Sequence, residues 1–173
     1  QMRAILRAAD GYDARLLLPL ITTPSDVREA KRHLESTKED LAQKRMPFNS
    51  DVRLGAMLEI PAAAIETRTI LEDVDFVSVG TNDLLQYFMG ADRDNDQVLQ
   101  YNKADSPAFL WLLGFIAEQA RAVERENDVM VCGEVASRAE FIPHLLKLGY
   151  RAFSVSPVSA PAIRDAVSTA ALA

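Results

Sequence analysis

Three apolar runs of this chain each end in side chains that can do chemistry. Leu54-Gly-Ala-Met-Leu-Glu59 ends in a carboxylate. Val74-Asp-Phe-Val-Ser-Val-Gly-Thr-Asn82-Asp83 ends in an amide and a carboxylate. Val129-Met-Val-Cys132-Gly-Glu134 ends in the only cysteine. Mg2+ takes a few carboxylates and completes its octahedron with water and substrate oxygens, so Glu59 and Asp83 suit one shared ion if their strands are neighbours. As strand-end acids they could equally cap helices, Asp83 above all. Asn82 and Arg93 can hold an anion, since the arginine fork matches phosphate and carboxylate. Arg93 also stands among Asp92, Asp94 and Asp96, where a plain surface ion pair would account for it. Cys132 has two readings. It is either a small buried hydrophobe or a proton donor, because a thiol of pKa about 8.5 is protonated at neutral pH. Gly133 permits a sharp turn beside it, and Glu134 adds polarity. His33 and His144 lie in helical segments without a nucleophile or metal-ligand partner at a telling spacing. The chain carries neither a GxGxxG nor a Walker loop.

These residues need elements that bring them to one place. Apolar strand-like runs alternate with helical patterns. Strands are expected over Arg15–Ile21, Leu54–Ile60, Asp75–Val79, Val129–Cys132 and Ala152–Val155. Helices are expected over Met2–Ala9, from Pro24 to about Arg45, over Ala62–Leu71, from Ser106-Pro107 to about Asn127, over Ser137–Leu148 and over Pro161–Ala170. Gly80-Thr-Asn-Asp83 reads as a tight turn into Leu84–Met89, and Ala91–Asp105 as a polar loop. About five βα units result. They suit a parallel sheet whose strand C-termini share one rim. Five units can form an open doubly wound sheet, or the last five of the eight in a (β/α)8 TIM barrel of about 250 residues.

The 173 residues suffice for one domain with a real core, and 49% hydrophobic with 25% charged residues is ordinary for a globular protein. No run approaches the roughly 20 apolar residues that span a bilayer, and no secretory signal is visible. A single cysteine forms no internal disulfide, which fits a reducing cytoplasm. A net charge of −6 argues against a general nucleic-acid binder, while local positive groups can still hold a small anion. Gln1 falls inside a helical pattern, so the chain reads as the later part of a longer, multidomain protein.

With these residues in place, the chain resembles the PEP-utilizing enzyme family in its C-terminal, PEP-binding barrel. The resemblance rests on Leu6-Arg-Ala8, Leu18-Pro-Leu-Ile21, Gly55-Ala-Met-Leu-Glu59-Ile-Pro-Ala-Ala63, Asp75-Phe-Val-Ser-Val-Gly-Thr-Asn-Asp83-Leu84, Gln86-Tyr87, Ala91-Asp-Arg93-Asp-Asn-Asp96 and Cys132-Gly-Glu-Val-Ala136. These stretches come in the family's order and span nearly the whole chain. They lean toward its enzyme I branch, the phosphoenolpyruvate-dependent phosphotransferases, including the nitrogen-related form. Related alternatives are the barrels of pyruvate phosphate dikinase and PEP synthase, and Mg2+-dependent aldolases or lyases of pyruvate enolates. A dimerisation or regulatory module is the non-enzyme alternative.

The resemblance implies roles. Glu59 and Asp83 would bind Mg2+, and Asn82, Asp83 and Arg93 would hold phosphoenolpyruvate. Cys132 would protonate C3 of the enolate to give pyruvate. The phosphoryl acceptor would be a histidine on a separate domain, which serves the phosphocarrier HPr or its nitrogen-related counterpart. A cytoplasmic homodimer without membrane or nucleic-acid contacts completes the expectation. The chain departs from the family in two places: Leu85 stands for a threonine, and Ser137-Arg138 for glycine and aspartate. The family's early strands carry further phosphate-binding arginines, so the resemblance implies that this stretch alone does not complete a phosphoryl transfer.

Overall fold

Alternating β and α patterns fold as expected into parallel strands covered by helices. The computed structural model describes residues 1–171. The strands are β1 (Arg15–Leu18), β2 (Arg53–Leu58), β3 (Phe76–Gly80), β4 (Val129–Cys132) and β5 (Ala152–Phe153). The helices are α1 (Met2–Ala8), α2 (Pro24–Gln43), α3 (Pro61–Ile65), α4 (Thr67–Asp73), α5 (Thr81–Met89), α6 (Pro107–Arg121), α7 (Ile142–Leu148) and α8 (Ala160–Ala171). The strands lie in the order β1-β2-β3-β4-β5, and every neighbouring pair is parallel. A doubly wound sheet reverses its strand order at a switch point. Here the order never reverses, so the five units form an arc wound in one direction, as in a partial β/α barrel.

Side-chain parity separates the two faces of the arc. Ala56, Leu58, Val77, Val79 and Val131 are all fully buried and point toward the helices. The opposite parity carries Met57, Ser78, Gly80, Met130 and Cys132, which the register aligns across β2, β3 and β4. Helix α6 completes the outer layer with Phe109, Leu112, Leu113, Ile116 and Ala120. Ser106 caps it by accepting from the Phe109 N–H. Thr23 and Asp26 form a capping box at the start of α2, with Pro24 in the first turn.

Several boundaries differ from the sequence expectation. β1 stops at Leu18 before Pro19, and Leu20 adopts a left-handed backbone at φ 53°. The helix expected over Ala62–Leu71 is two helices. The fully buried Thr67 donates its hydroxyl to the Ala64 carbonyl at 2.7 Å where they meet. α6 ends at Arg121 rather than near Asn127. Glu124 turns the chain at φ 56°, and Arg125 then donates to the carbonyls of Leu71, Val74 and Asp75. That fork satisfies chain ends at the foot of the sheet, where a continued helix would leave them open. The helix expected from Ser137 is confined to α7, preceded by 3-10 turns at Val135–Ser137 and Ala139–Phe141. The loop Ala91–Asp105 includes a 3-10 turn at Leu99–Tyr101.

Gly55 shows why β2 needs a glycine in its inner row. It pairs in register with Phe76, and the Phe76 ring lies across it. A Cβ at position 55 would come within 2.4 Å of that ring. Gly55→Ala is therefore expected to destabilise the chain by about 1–3 kcal/mol, the usual cost of overpacking. Adding Phe76→Leu should recover part of that loss. Denaturant unfolding of the two single variants and the double variant checks both outcomes.

Candidate active site

Parity and register bring the three reactive strand ends together. Glu59 directly follows β2, and Gly80, the last residue of β3, lies beside it. A Cβ on Gly80 would stand 3.0 Å from both Cβ and Oε2 of Glu59. Gly80 is in turn the register partner of Cys132. The chain enters α5 directly after Gly80, so Asn82 and Asp83 sit in the first helical turn rather than in a separate tight turn.

Glu59 is 5% exposed, an uncommon position for a carboxylate. Its Oε1 accepts the Leu20 backbone N–H at 2.7 Å, which fixes the side chain toward the rim. Burial raises its pKa above the ordinary carboxylate range, and the charge of nearby Asp83 raises it further, against the lowering effect of the Leu20 N–H. Asp83 Oδ1 lies 3.2 Å from Nη1 of Arg93. Arg93 therefore pairs with the site rather than with Asp92, Asp94 or Asp96, and its backbone N–H is held by Gln86 at 3.2 Å.

Cys132 is half-buried. Its thiol donates to the Val79 carbonyl at 3.4 Å and accepts the Ser78 hydroxyl at 3.1 Å. Burial pushes the thiol pKa up, the Ser78 bond lowers it, and the charge of Glu59 raises it. The group is thus protonated at neutral pH. Thr81 donates to the Cys132 carbonyl at 2.7 Å and ties α5 to the end of β4. Gly133 follows at φ +92°, and any Cβ there would fall within 2.6 Å of Thr81 Oγ1 and Asn82 Oδ1. Only glycine meets both the left-handed backbone and this approach. The Glu134 N–H then donates to Asn82 Oδ1 at 2.8 Å. With its carbonyl oxygen engaged there, Asn82 keeps its amide donors for an anion.

Next to this centre lies a cleft of about 290 Å3, lined by Asn82, Arg93, Asn102, Glu134 and Arg138 among others. Sequence reasoning missed three residues of the region. Ser78 interrupts an apolar strand and is 1% exposed, and that interruption was its only signal. Thr81 carried none and Arg138 only its departure from the family pattern, since their roles depend on segments distant in sequence. His33 and His144 are exposed on α2 and α7, away from the site elements.

Among the described residues no three His, Cys, Asp or Glu side chains cluster as a closed metal site. Glu59, whose proton affinity is raised by burial and by the charge of Asp83, forms with it a carboxylate pair that fits a hard cation keeping most of its sphere for water and substrate.

Residues 1–172 match the family described as PEP-utilising enzyme, PEP-binding domain. The chain is 38% identical over 159 residues to the phosphoenolpyruvate-protein phosphotransferase of Enterococcus faecalis, covering 92% of this chain and 27% of that protein. It is 38% identical over 168 residues to that of Bacillus subtilis, covering 97% and 29%. Multiphosphoryl transfer protein 2 of Escherichia coli is 33% identical over 165 residues, covering 95% and 19%. The chain thus spans under a third of the length of these relatives. Among solved structures, RipC from Yersinia pestis superposes with a TM-score of 0.64 at 12% identity, over 96% of this chain and 68% of that one, a likeness of fold alone. By its match over nearly every residue, and by relatives that share more than a third of its sequence, the chain belongs to the PEP-utilising enzyme family through the PEP-binding domain.

Proposed function

We propose that this chain supplies the metal and proton-donor side of the phosphoenolpyruvate site in a phosphoenolpyruvate-protein phosphotransferase. The observation that carries the reading is the convergence of three strand ends: Gly80 stands against Glu59 and is the register partner of Cys132, and Asp83 pairs with Arg93 at the start of α5. In the reaction, the bond from phosphorus to the enol oxygen breaks and a bond from phosphorus to an imidazole nitrogen of another domain forms. The enolate then takes a proton at C3 and becomes pyruvate.

Glu59 and Asp83 would hold Mg2+, which when bound offsets charge on the phosphate and carboxylate. Arg93 and the amide of Asn82 orient the anion, and the Arg93 guanidinium offsets charge that develops on it. The first N–H groups of α5 have no side-chain cap and face the same rim, a favourable place for an anion. Cys132 keeps its proton at neutral pH and releases it to C3, and the Ser78 hydroxyl is positioned to stabilise the thiolate left behind. In this reading the partners are phosphoenolpyruvate, pyruvate and an HPr-type phosphocarrier, the compartment is the cytoplasm, and the assembly is a homodimer. The exposed Trp111 on α6, stacked on the half-buried Phe115, supplies an apolar surface for such a contact. No helix among the described residues is long and apolar enough to cross a membrane.

The reading has two direct tests in the full-length protein. Cys132→Ala should keep Mg2+-dependent phosphoenolpyruvate binding and lower pyruvate formation by about 10²–10⁴-fold, the usual weight of a general acid. Coupled pyruvate detection together with calorimetric binding checks this, and unchanged turnover would remove the proton-donor role.

The second test uses the sign of the Glu59 shift. A folded-state pKa above the unfolded value means the folded chain binds more protons between the two values. Stability therefore falls as pH rises through that interval. Glu59→Gln keeps an acceptor for the Leu20 N–H and removes the buried charge. Without Mg2+ at neutral pH, it should raise the thermal midpoint by about 2–4 °C, the equivalent of about 1 kcal/mol. It should also flatten the pH dependence and abolish stabilisation by added Mg2+. Thermal unfolding with and without the ion, across pH, checks the three outcomes together.

A further inference from the structure

Arg138 stands where the family resemblance leads one to expect an aspartate, and the fold brings it to the cleft that Arg93 and Asn82 also line. Two arginines thus share a space of about 290 Å3 with the amides of Asn82 and Asn102 and with the acidic residues Asp94 and Glu134, near the lower size limit of small-molecule sites. The two arginines reach it from different parts of the chain, Arg93 from the loop after α5 and Arg138 from the segment after β4. The Glu134 N–H to Asn82 bond ties those segments together.

Arg138 is also held in place. Its Nε donates to Glu140 Oε1 at 2.8 Å, its Nη2 lies 2.8 Å from the same oxygen, and its guanidinium stacks 4.7 Å from the centre of the Phe141 ring. A fork fixed on one edge and one face presents its remaining donors at small entropic cost. Arg93 already pairs with Asp83 and Arg138 with Glu140, so an anion in the cleft gains through the donors that these pairs leave over.

We propose that Arg138 and Arg93 form an anion subsite beside the reaction centre, which takes the anionic group of a phosphorylated carboxylate substrate that faces away from Glu59 and Asp83. This rests on the phosphoenolpyruvate reading above and assigns it a residue that the family pattern lacks. Glu140 then acts as a competitor for the guanidinium as well as its support.

The test is calorimetric titration of the full-length protein with phosphoenolpyruvate in the presence of Mg2+, together with KM and kcat. Arg138→Gln should weaken binding about tenfold, as the loss of a charged hydrogen bond does, with KM rising more than kcat falls. Arg138→Lys should restore most of the affinity. Glu140→Gln, which frees the guanidinium, should hold or tighten binding. If Arg138 served only to pair with Glu140, Arg138→Gln and Glu140→Gln would weaken binding and lower the thermal midpoint alike, and that outcome overturns the proposal. Equal affinity of Arg138→Gln and the unaltered protein overturns it too, while leaving the phosphoenolpyruvate reading intact. An unaltered protein that binds no phosphoenolpyruvate would overturn both.

Discussion

The site depends on one unfavourable arrangement: a buried carboxylate facing another carboxylate. Glu59 has a single hydrogen bond from a backbone N–H and a neighbour of like charge, so its ionised form is costly inside the fold. Much of the surrounding structure holds it there. The left-handed turn at Leu20 aims that N–H, Gly80 leaves room for the side chain, and the start of α5 brings Asp83 across. Such strain and repulsion are tolerated where the rest of the fold over-determines the position. A cation at this point would relieve the cost.

The packing that bears this cost lies on the other face of the sheet. Val77, Val79 and Val131 are fully buried in the common apolar core, and the foot of the arc is tied by the Arg125 fork. The helix-facing side therefore stabilises, and the inner side carries the side chains of the candidate site. That division follows from the two-residue period of a strand. Cys132 illustrates it, since Val131 beside it is fully buried while the thiol faces the rim. The same local environment that buries the thiol also keeps it protonated, which is the form a donor needs.

Polar bonds across the rim make the site one unit. Thr81 to the Cys132 carbonyl and Glu134 N–H to Asn82 connect the ends of β3 and β4, and Gly133 allows the close approach. These bonds cross more than fifty positions of sequence, so they report the fold rather than any local preference. Arg138 reaches the cleft through the same connection.

By itself the sequence determined the alternation of strands and helices, the residue types at the strand ends and the family, because periodicity and capping are local and the motifs are continuous. Glu59, Asp83 and Cys132 were legible since each ends an apolar run. Element lengths were less legible: α6 stops early because Arg125 is drawn to carbonyls of another unit, and α3 breaks from α4 around a buried threonine. Only the tertiary structure decided that the sheet winds one way, that Arg93 pairs with Asp83 rather than with its loop neighbours, and that Ser78 and Arg138 join the site. Strand order, register and long-range electrostatics have no local signature, since they arise from which segments lie side by side once the apolar face of the sheet is buried.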